Sequence, residues 1–400
     1  MNNYMKTPLQ GIKVLDLSRF ISGPYCGMLL GDLGAEVIKI EKAKAGDESR
    51  GLPPYYEGES LYYFVMNRNK RGMELDFRSE EGKTILGDMI KGCDVIIQNF
   101  RPGIMDKMGY GWDAVHNLNP RVIMISISGY GADGPYRDRP GFDAAIQAMS
   151  GLMSITGEPD GMPMMYGTYS VDYSTAMYAA ISACAALYAR NTTGVGQHIE
   201  LSLLDCAATL LMTGIPEQTE MGITAKRVGN RDRYTSPGNC FKTKDGSALM
   251  IIAGNQNQFQ RLVKAMNKEY LLEDERFSKQ EVRFMHAEEI EAIVAEWVAG
   301  YQMEELQRIL DEHSVVATKI ETLKDVVENP QLKYRKKLIK VKHPTMGEVT
   351  MMGAPYNFSG MELELSRPAP LLGEHTKEVL KEWLHTDDNK IKEWKDKGII

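Results

Sequence analysis

The first third of the chain alternates between short β-branched apolar runs and longer segments with helical spacing. GIKVLDLS, at Gly11–Ser18, and AEVIKIE, which ends at Glu41, are typical of buried strands. Between them a Gly/Pro turn precedes Tyr25 to Leu33, whose apolar residues have helical spacing. This order predicts a βαβ unit.

The same alternation continues toward residue 215. The spacing predicts helices over Ser79 to Lys91 and near Trp112 to Leu118, and strands in DVIIQNF and at Arg121–Gly131. QHIELSLLDCAATLLM predicts one more strand that leads into a helix. Strands that alternate with helices favour a parallel α/β sheet covered on both faces, with ligand contacts in the turns at its carboxyl edge.

The pattern changes after Pro216. Residues Pro216 to Ser236 are polar and aperiodic, which predicts a linker. The segment that follows predicts a hairpin around Lys244–Gly246 and amphipathic helices over Phe259 to Met266 and Ala287 to Leu310. The change indicates a second, smaller domain.

Charge and cysteine content narrow the class of protein. The net charge of −7 and the dispersed basic residues argue against a nucleic-acid or anionic-membrane partner. The five cysteines show no CxxC spacing, which favours free thiols in a reducing compartment. The first residues lack the apolar core of a secretion signal, and no segment approaches the length of a membrane span. We therefore expect a cytoplasmic protein.

The first βαβ unit imitates a dinucleotide site, with Glu41 in the ribose-binding position. The turn SRFISGPYCG lacks the G-x-G-x-x-G spacing, however, and Pro24 removes a backbone donor. A Walker P-loop is absent, and the seven histidines form neither a zinc spacing nor an evident Ser-His-Asp set. The sequence predicts no tightly bound cofactor and no metal.

Asp172 stands where a polar, tyrosine-rich segment gives way to the alanine-rich run of a predicted helix. One interpretation is an N-cap, a position that aspartate favours. The other is a nucleophilic carboxylate, kept ionised by the helix N-terminus. The residues around it leave both interpretations open.

Several segments together resemble the class III CoA-transferase family, which includes formyl-CoA:oxalate, acetyl-CoA:oxalate and carnitine CoA-transferases. They follow the family's order over nearly the whole chain: GIKVLDLSRFISGPYCGMLLGDLGAEVIKIEKAKAGDESR, SLYYFVMNRNKRGMELD, CDVIIQNFRPGIMDKMGYGWD, LNPRVIMISISGYGADGPYRDRPGFDAAIQAMSG, the Asp172 segment with TGVGQHIELSLLD, and PLLGEHTKEVL.

The resemblance implies a large Rossmann-like, parallel-sheet domain formed by both chain ends, a smaller domain, and an interlocked homodimer. In domain terms it implies a large α/β domain over residues 1–215, a linker and small domain over 216–325, and a return to the large domain over 326–400. The implied substrates are an acyl-CoA and a free carboxylic acid.

The resemblance also implies a covalent role for Asp172. In the family's mechanism the carboxylate attacks the acyl-CoA to give a mixed anhydride, CoA returns to form an aspartyl-CoA thioester, and the acceptor acid then collects the CoA. The CoA contacts implied are Ile21, Ser22, Lys42, Leu75, Asp76, Phe77, Arg78, Asn99, Phe100, Arg101, Lys107 and Arg137. Lysine and arginine suit the phosphates and Phe100 the adenine; Tyr136, Arg139 and Asp143 are further candidates.

Two departures affect specificity. Formyl-CoA:oxalate transferases carry Gln where this chain has Ile21, and they have a longer glycine-rich loop where this chain has AGNQNQF. Gly254, Asn255 and Gln256 are therefore predicted to shield the intermediate. Segments of the chain resemble both the acetyl-CoA:oxalate and the carnitine branches. The apolar candidates Ile21, Phe142, Tyr166 and Tyr169 favour a small aliphatic or aromatic acid over a dicarboxylate.

Three other functions compete with CoA transfer, and one of them is a dehydratase-like or decarboxylase-like CoA enzyme on the same scaffold. α-Methylacyl-CoA racemases share the fold and pair the aspartate with a histidine in a GHD motif. Here the motif reads Gly141-Phe142-Asp143, and phenylalanine cannot move a proton. A non-catalytic CoA-binding subunit is the third alternative, and an intact Asp172 argues against it.

Overall fold

The computed structural model describes residues 7–365 and 367–400. The helices of this part of the chain are, in order, α1 (Ser22–Asp32), α2 (Leu61–Asn67), α3 (Glu80–Lys91), α4 (Ile104–Lys107), α5 (Trp112–Leu118), α6 (Asp143–Met149), α7 (Ser170–Thr193), α8 (Leu203–Thr209), α9 (Gly214–Met221), α10 (Gln256–Ala265), α11 (Gln280–Met285), α12 (Ala287–Val298), α13 (Met303–Glu312), α14 (Leu323–Glu328), α15 (Pro330–Tyr334), α16 (Thr376–Leu384) and α17 (Asp388–Asp396).

A six-stranded sheet organises the first half of the chain. Its strands are β1 (Lys13–Asp16), β2 (Glu36–Lys42), β3 (Lys70–Leu75), β4 (Val95–Gln98), β5 (Ile123–Ser128) and β6 (Gln197–Ser202). They lie in the order β3-β2-β1-β4-β5-β6, and every neighbouring pair is parallel. The predicted mixed α/β architecture with a parallel sheet is confirmed. The strand order reverses between β1 and β4, and such a reversal opens a crevice at the carboxyl ends of the strands.

Alternate residues of the strands point into two separate cores. On one face, Val14 and Val95 pack with α1 and with the alanines of α7, including Ala176 and Ala183. On the other face, Leu15 and its neighbours pack with α3, α5 and the two C-terminal helices α16 and α17. The sheet is therefore covered on both faces.

Helix α1 begins earlier than the sequence predicted. The expected Gly/Pro turn is the first turn of the helix, which starts at Ser22 rather than Tyr25. Proline is tolerated there because the first backbone N–H groups of a helix have no partner within it. The correction matters because it places Ser22 at the N-terminus of α1.

Strand β3 was not predicted at all. Its sequence, KRGMEL, begins with two charged residues, yet Lys70 is fully buried and Arg71 nearly so. The Lys70 ammonium donates to Asp16 Oδ2 at 2.7 Å, to the Pro24 carbonyl at 2.7 Å and to Asn67 Oδ1 at 2.7 Å. Ion pairing with a residue 54 positions away therefore allows a polar sequence to become a buried strand.

The chain divides into two compact units. Of the described residues, the first contains 7–152, 166–212, 331–365 and 367–400, and the second contains 153–165 and 213–330. In the first unit an antiparallel hairpin, β10 (Leu338–His343) with β11 (Gly347–Met352), precedes α16. The domain boundaries given in the sequence analysis stay a prediction, as does the dimer.

The second unit has its own sheet and core. Strands β7 (Gly238–Lys242), β8 (Ala248–Ile252) and β9 (Ala317–Lys319) form an antiparallel sheet in the order β9-β8-β7. The predicted hairpin is confirmed. The predicted linker is wrong in its first part, which is α9, and the amphipathic segment from Ala287 is broken near Gly300 into α12 and α13.

Candidate active site

Two loops meet at the crevice between β1 and β4. Arg19 follows β1 and Asn99 follows β4, and their contact is reciprocal. The Arg19 backbone N–H donates to Asn99 Oδ1 at 2.8 Å, and Asn99 Nδ2 donates to the Arg19 carbonyl at 2.6 Å. The Arg19 guanidinium lies over the Phe100 ring, 5.2 Å from its centroid. The side chain of Asn99 therefore locks the two loops together.

A buried ion pair supports the loop after β1. Lys39 donates to Asp47 Oδ2 at 2.9 Å and also to the Ser18 carbonyl. Asp47 Oδ1 accepts from the Phe20 backbone N–H at 3.3 Å. Phe20 has a φ of +65°, a conformation that is strained for a bulky residue. These bonds hold that conformation in place.

Asp172 lies in the first turn of α7, two residues after its start. The helix begins at Ser170, and its N-cap is Tyr169, whose side chain makes no capping bond. The N-cap interpretation of Asp172 is therefore wrong. The carboxylate instead lines a cavity together with Ser22 of α1, whose hydroxyl acts to lower the pKa of Asp172.

The capping group for α7 comes from another element. Asp143 Oδ2 accepts from the Val171 N–H at 2.8 Å and from the Asp172 N–H at 3.0 Å. Its Oδ1 accepts from the Gln147 side-chain amide, and Gln147 Oε1 accepts from the Tyr166 N–H at 2.9 Å. Asp143 and Gln147 are both buried in α6. No local pattern in the sequence indicates this contact, which spans 29 residues.

The two aspartates affect each other electrostatically. Burial, and then the negative charge of Asp143, raise the pKa of Asp172 from its ordinary 3.8 to about 7, and the Ser22 hydroxyl opposes the rise. A carboxyl group with a pKa near neutrality is characteristic of sites that do chemistry. Near neutral pH, Asp172 is therefore divided between its ionised and neutral forms.

Two adjoining cavities of the first unit surround these loops. The first has a volume of about 290 Å³ and contains Asp172 and Ser22 in its wall. The second has a volume of about 360 Å³ and lies beside β2 and the start of the segment after β3. The side chains common to both walls are Arg19, Glu48, Phe100 and Arg101. A long ligand could therefore pass from one cavity into the other.

Cations without a carboxylate partner are concentrated around both cavities. Lys42, Arg78 and Arg101 lie on the second cavity, and Arg101, Arg137 and Arg139 lie on the first. Within the described residues none of these five forms an ion pair, whereas Arg19 is paired with Glu48. Unpaired cations around a concave surface favour an anionic ligand.

Comparison with known proteins identifies the family. The profile of CoA-transferase family III matches residues 9–376. The chain belongs to CoA-transferase family III. It is 35% identical to succinyl-CoA:D-citramalate CoA-transferase of Chloroflexus aurantiacus, with 98% of each chain covered. It is also 35% identical to human succinyl-CoA:glutarate CoA-transferase, with 100% of this chain and 91% of the relative covered.

A solved structure shares the fold of this family III enzyme. A CAIB/BAIF family protein from Brucella suis superposes with a TM-score of 0.84 at 35% identity, covering 95% of this chain and 100% of the other. Formyl-CoA:oxalate CoA-transferase of Rhodopseudomonas palustris is 32% identical, with 99% of this chain and 98% of the relative covered.

Most of the residues predicted to bind CoA lie together on the two cavities. Ser22, Asn99, Phe100, Arg101 and Arg137 line the first cavity. The second is lined by Lys42, Asp76, Phe77, Arg78, Phe100 and Arg101. Arg139 also lines the first cavity, although it was only a further candidate. The structure therefore brings these residues to one region of the first unit.

Three predicted CoA contacts lie away from both cavities. Ile21 is 2% exposed and Leu75 is fully buried in the core, so neither side chain reaches the cavity walls. Lys107 lies on a separate shallow depression beside α3 and α4. Arg19, Phe20 and Glu48 line the cavities but were not singled out from the sequence, although the SRFISGP and GDESR turns that carry them were.

The predicted preference for an apolar acid loses most of its structural basis. Of the four residues on which it rests, Phe142 lines the first cavity, packing edge-on against Phe20 with ring centroids 6.2 Å apart. Ile21 is buried elsewhere, and Tyr166 and Tyr169 are solvent-exposed outside the cavity wall. The wall of the first cavity instead carries the cationic side chains of Arg101, Arg137 and Arg139.

The predicted shielding loop is anchored within the second unit. Arg283 donates to the Gly254 carbonyl at 2.8 Å and to Gln256 Oε1 at 3.1 Å, while Asn255 caps α10. Its shielding role stays a prediction.

Residues 7–365 and 367–400 show neither a metal-ligating cluster nor a membrane span. No group of three or more His, Cys, Asp or Glu side chains in these ranges could hold a metal ion. None of their helices combines the length and apolar character needed to cross a bilayer.

Proposed function

We propose that this enzyme moves CoA from an acyl-CoA to a free carboxylic acid through covalent intermediates on Asp172. The observation that carries the proposal is that, in the described part of the chain, this carboxylate has neither a cationic partner nor a capping role. Of the two acidic side chains on the first cavity, Glu48 is paired with Arg19, whereas Asp172 has no cationic partner among the described residues and does not cap its own helix. It is therefore available as a nucleophile.

The proposed chemistry balances over two half-reactions. An Asp172 carboxylate oxygen attacks the thioester carbon. The C–S bond breaks, CoA leaves as a thiolate, and a mixed anhydride remains between Asp172 and the donor acid. The thiolate attacks the Asp172 carbonyl and releases the donor acid, which leaves an aspartyl-CoA thioester. The acceptor carboxylate then displaces CoA to form a second anhydride, and the thiolate attacks the acceptor carbonyl, which regenerates Asp172.

The two cavities suggest how CoA lies, with its nucleotide end in the second cavity and its thioester end in the first. We place the nucleotide phosphates near Lys42, Arg78 and Arg101 in the second cavity, since charge-assisted bonds to phosphate suit these side chains. The pantetheine arm then passes Phe100 and ends in the first cavity beside Asp172. CoA acts as a substrate in this arrangement rather than as a resident cofactor.

For the acids, we propose dicarboxylates. Asp172 reacts at one carboxyl end, and the unpaired Arg137 and Arg139 on the same cavity wall can bind the other end. The relatives named for citramalate and glutarate support this choice. An aliphatic or aromatic monocarboxylate would leave these cations without a partner.

A racemase remains the weaker candidate. It needs a second proton-transfer group opposite the aspartate. Position 142 of the cavity wall is occupied by phenylalanine, and no histidine occurs among the described residues that line this cavity. The phenylalanine at this position favours transfer over racemisation.

We further propose a homodimer in the cytoplasm. Met177, Ile181 and Tyr188 form an exposed apolar stripe along α7, with Tyr188 80% exposed. A stripe of this kind is typical of a surface that is covered by another chain. The five free cysteines fit a reducing compartment. A monomer in light scattering, at concentrations well above those of the assay, would contradict the dimer.

The direct test of the proposed reaction is chemical trapping. The wild-type enzyme is incubated with succinyl-CoA and treated with borohydride or hydroxylamine, and its peptides are measured by mass spectrometry. We expect modification of Asp172 in the wild type and none in the matched Asp172→Asn variant. An enzyme that turns over while Asp172 stays unmodified would sink the proposal.

Two substitutions test the proposed CoA position, one of an arginine on the cavities and one of a lysine away from them. Arg101→Ala removes a cation shared by both cavities, and we expect the KM for acyl-CoA to rise about tenfold or more, since one charge-assisted hydrogen bond contributes ~1.5–3 kcal/mol. Lys107→Ala is the control, because Lys107 lines neither cavity, and its KM should stay at the wild-type value. Equal effects of the two substitutions would contradict this placement.

A panel of acceptors tests the proposed substrate class. Succinyl-CoA is offered with dicarboxylates and with monocarboxylates of matched length, and the products are identified by mass. We expect dicarboxylates to react faster in the wild type, with the advantage reduced in an Arg137→Ala/Arg139→Ala double variant. A preference for monocarboxylates would favour the apolar interpretation instead.

A further inference from the structure

Helix α7 receives the partner for its first N–H groups from outside the helix. The opening N–H groups of any helix have no partner within it, and a side chain at the N-cap usually satisfies them. Tyr169, the N-cap of α7, has no such contact. Asp143, which is 3% exposed, supplies it through one oxygen that accepts from two successive N–H groups.

Because Asp143 accepts from the first N–H groups of α7, the Asp172 carboxylate is not needed to cap its own helix. An acidic residue in the third helical position often folds back toward the N-cap N–H, as in a capping box. In α7 the acidic residue of the first turn is Asp172, yet its carboxylate faces the cavity and the Ser22 hydroxyl. Asp143 itself lines neither cavity.

Both oxygens of Asp143 are bound. While Oδ2 accepts from the helix, Oδ1 accepts from Gln147, whose own amide oxygen accepts from the Tyr166 N–H. Gln147 is 1% exposed. The chain of bonds therefore fixes the position of a negative charge beside the start of α7.

We propose that Asp143 is a positioning residue, which holds the first turn of α7 so that Asp172 faces the cavity, and which places a fixed negative charge beside it. The inference rests on the proposed nucleophilic role of Asp172. The fixed charge has a chemical consequence, because Asp172 is anionic before attack and neutral as an anhydride or a thioester. Repulsion between the two carboxylates is relieved each time the covalent bond forms.

Two tyrosines near Asp172 titrate well above the pH range in which Asp172 does. Tyr62 of α2 and Tyr173 of α7 each have a pKa raised above 10.0 by burial first and by neighbouring charges that include Asp172. Both are therefore neutral wherever Asp172 titrates. The hydroxyl of Ser22 carries no charge near neutral pH either. Burial is the larger cause of the raised pKa of Asp172, and Asp143 is the charged neighbour that raises it further.

The test moves the charge while keeping the bonds. In Asp143→Asn/Gln147→Glu, the introduced asparagine can still accept from the two helix N–H groups through its oxygen. Its amide can donate to the introduced glutamate, which can also accept from the Tyr166 N–H. The negative charge then lies one helical turn further along α6. We expect the acid limb of kcat/KM with succinyl-CoA to move to lower pH, with KM within about threefold of wild type, since the proposed CoA contacts are retained.

Two single variants guard against misfolding of the double variant. Asp143→Asn removes the charge and retains an acceptor, and it should move the same limb in the same direction. Asp143→Ala removes the positioning contact, and it should lower kcat about 10²-fold, a loss typical of a displaced reactive group, with little change in KM.

Asp387→Asn is the matched control. Asp387 caps α17 with the same geometry, accepting from two successive N–H groups at 2.9 and 3.0 Å, and it lies on neither cavity. Its pH profile should match wild type.

The outcomes separate the two proposals. If Asp172 is trapped by borohydride in all folded variants but the acid limb stays fixed in both Asp143→Asn and the double variant, the proposed charge effect of Asp143 is wrong and the nucleophile stands. If kcat of Asp143→Ala equals that of wild type, the positioning role is wrong. If Asp172 is never trapped in the wild type, the proposed function itself is wrong. A loss confined to KM in Asp143→Ala would also overturn the positioning role, since it would indicate a substrate contact.

Discussion

Helices α3 and α7 both lie against the central sheet, but their N-termini are completed in different ways. In α3 the cap is local: Ser79 accepts from the Gly82 N–H at 3.0 Å, and Glu80 and Glu81 occupy the first turn. In α7 the cap comes from α6, and the acidic residue of the first turn faces a cavity. The carboxylates near the start of α3 stabilise a helix, whereas the one in α7 is left available for chemistry.

The difference explains why one helix was easy to predict. The predicted range of α3, Ser79 to Lys91, differs from the observed Glu80–Lys91 by the cap residue alone. At α7 the same logic suggested an N-cap at Asp172 and was wrong, because the group that satisfies the helix is 29 positions away.

The largest expected effect is on activity. Asp172→Asn should lower kcat by at least about 10³-fold, since loss of a nucleophile removes the covalent route. It should not lower Tm, because Asp172 does not cap α7 and the substitution removes a partly buried charge. Activity measured by acyl-CoA formation and Tm by calorimetry check both parts. A variant within about tenfold of wild-type activity would break the contrast between the two helices.

The second effect is a pH dependence of stability. The folded-state pKa of Asp172 is about 7, above its ordinary 3.8. Between these values the folded protein holds a proton that the unfolded chain has lost, so raising the pH favours unfolding until the folded carboxyl has ionised. The Tm advantage of Asp172→Asn should therefore grow from about pH 4 to 7 and then level off. A constant difference across this window would contradict the raised pKa.

The smallest effect lies in α3. Ser79→Ala should cost about 1 kcal/mol of unfolding free energy, the usual result of losing a serine N-cap. Its kcat and KM should equal those of wild type, because Ser79 lines neither cavity. Denaturant unfolding and steady-state rates provide the measurements. A loss of activity at unchanged stability would mean that α3 also serves the site.

The elements that could be predicted are those whose cause is local. Strands β1 and β2 are rich in β-branched apolar residues, the hairpin of the second unit has turn residues at its tip, and these elements were found where expected. Strand β3 was missed because Lys70 is satisfied by the distant Asp16. Residues that meet at the crevice, such as Arg19 and Asn99, come together only through the strand order of the sheet.

For the site, the residues alone left Asp172 ambiguous, and the CoA contacts came from the family resemblance. The resemblance carried some positions too far: Leu75 is in the core, while its neighbours Asp76 and Arg78 reach the cavity. Leu75 is the last residue of β3 and lies in the core of the sheet, whereas Asp76, Phe77 and Arg78 follow the end of the strand and line the second cavity. Asp143 was found as a candidate, but its role as an external cap required the structure.

If Asp172 forms and breaks covalent bonds during each turnover, oxygen from the acceptor acid must pass to its carboxylate, and isotope labelling measures this transfer. When an acceptor acid carrying ¹⁸O in its carboxylate displaces CoA from the aspartyl thioester, one of its oxygens becomes the bridge of the second anhydride and stays on the enzyme. After turnover with succinyl-CoA, the peptide that contains Asp172 should carry ¹⁸O, and no other peptide should. Formation of labelled acyl-CoA with an unlabelled Asp172 would contradict the account.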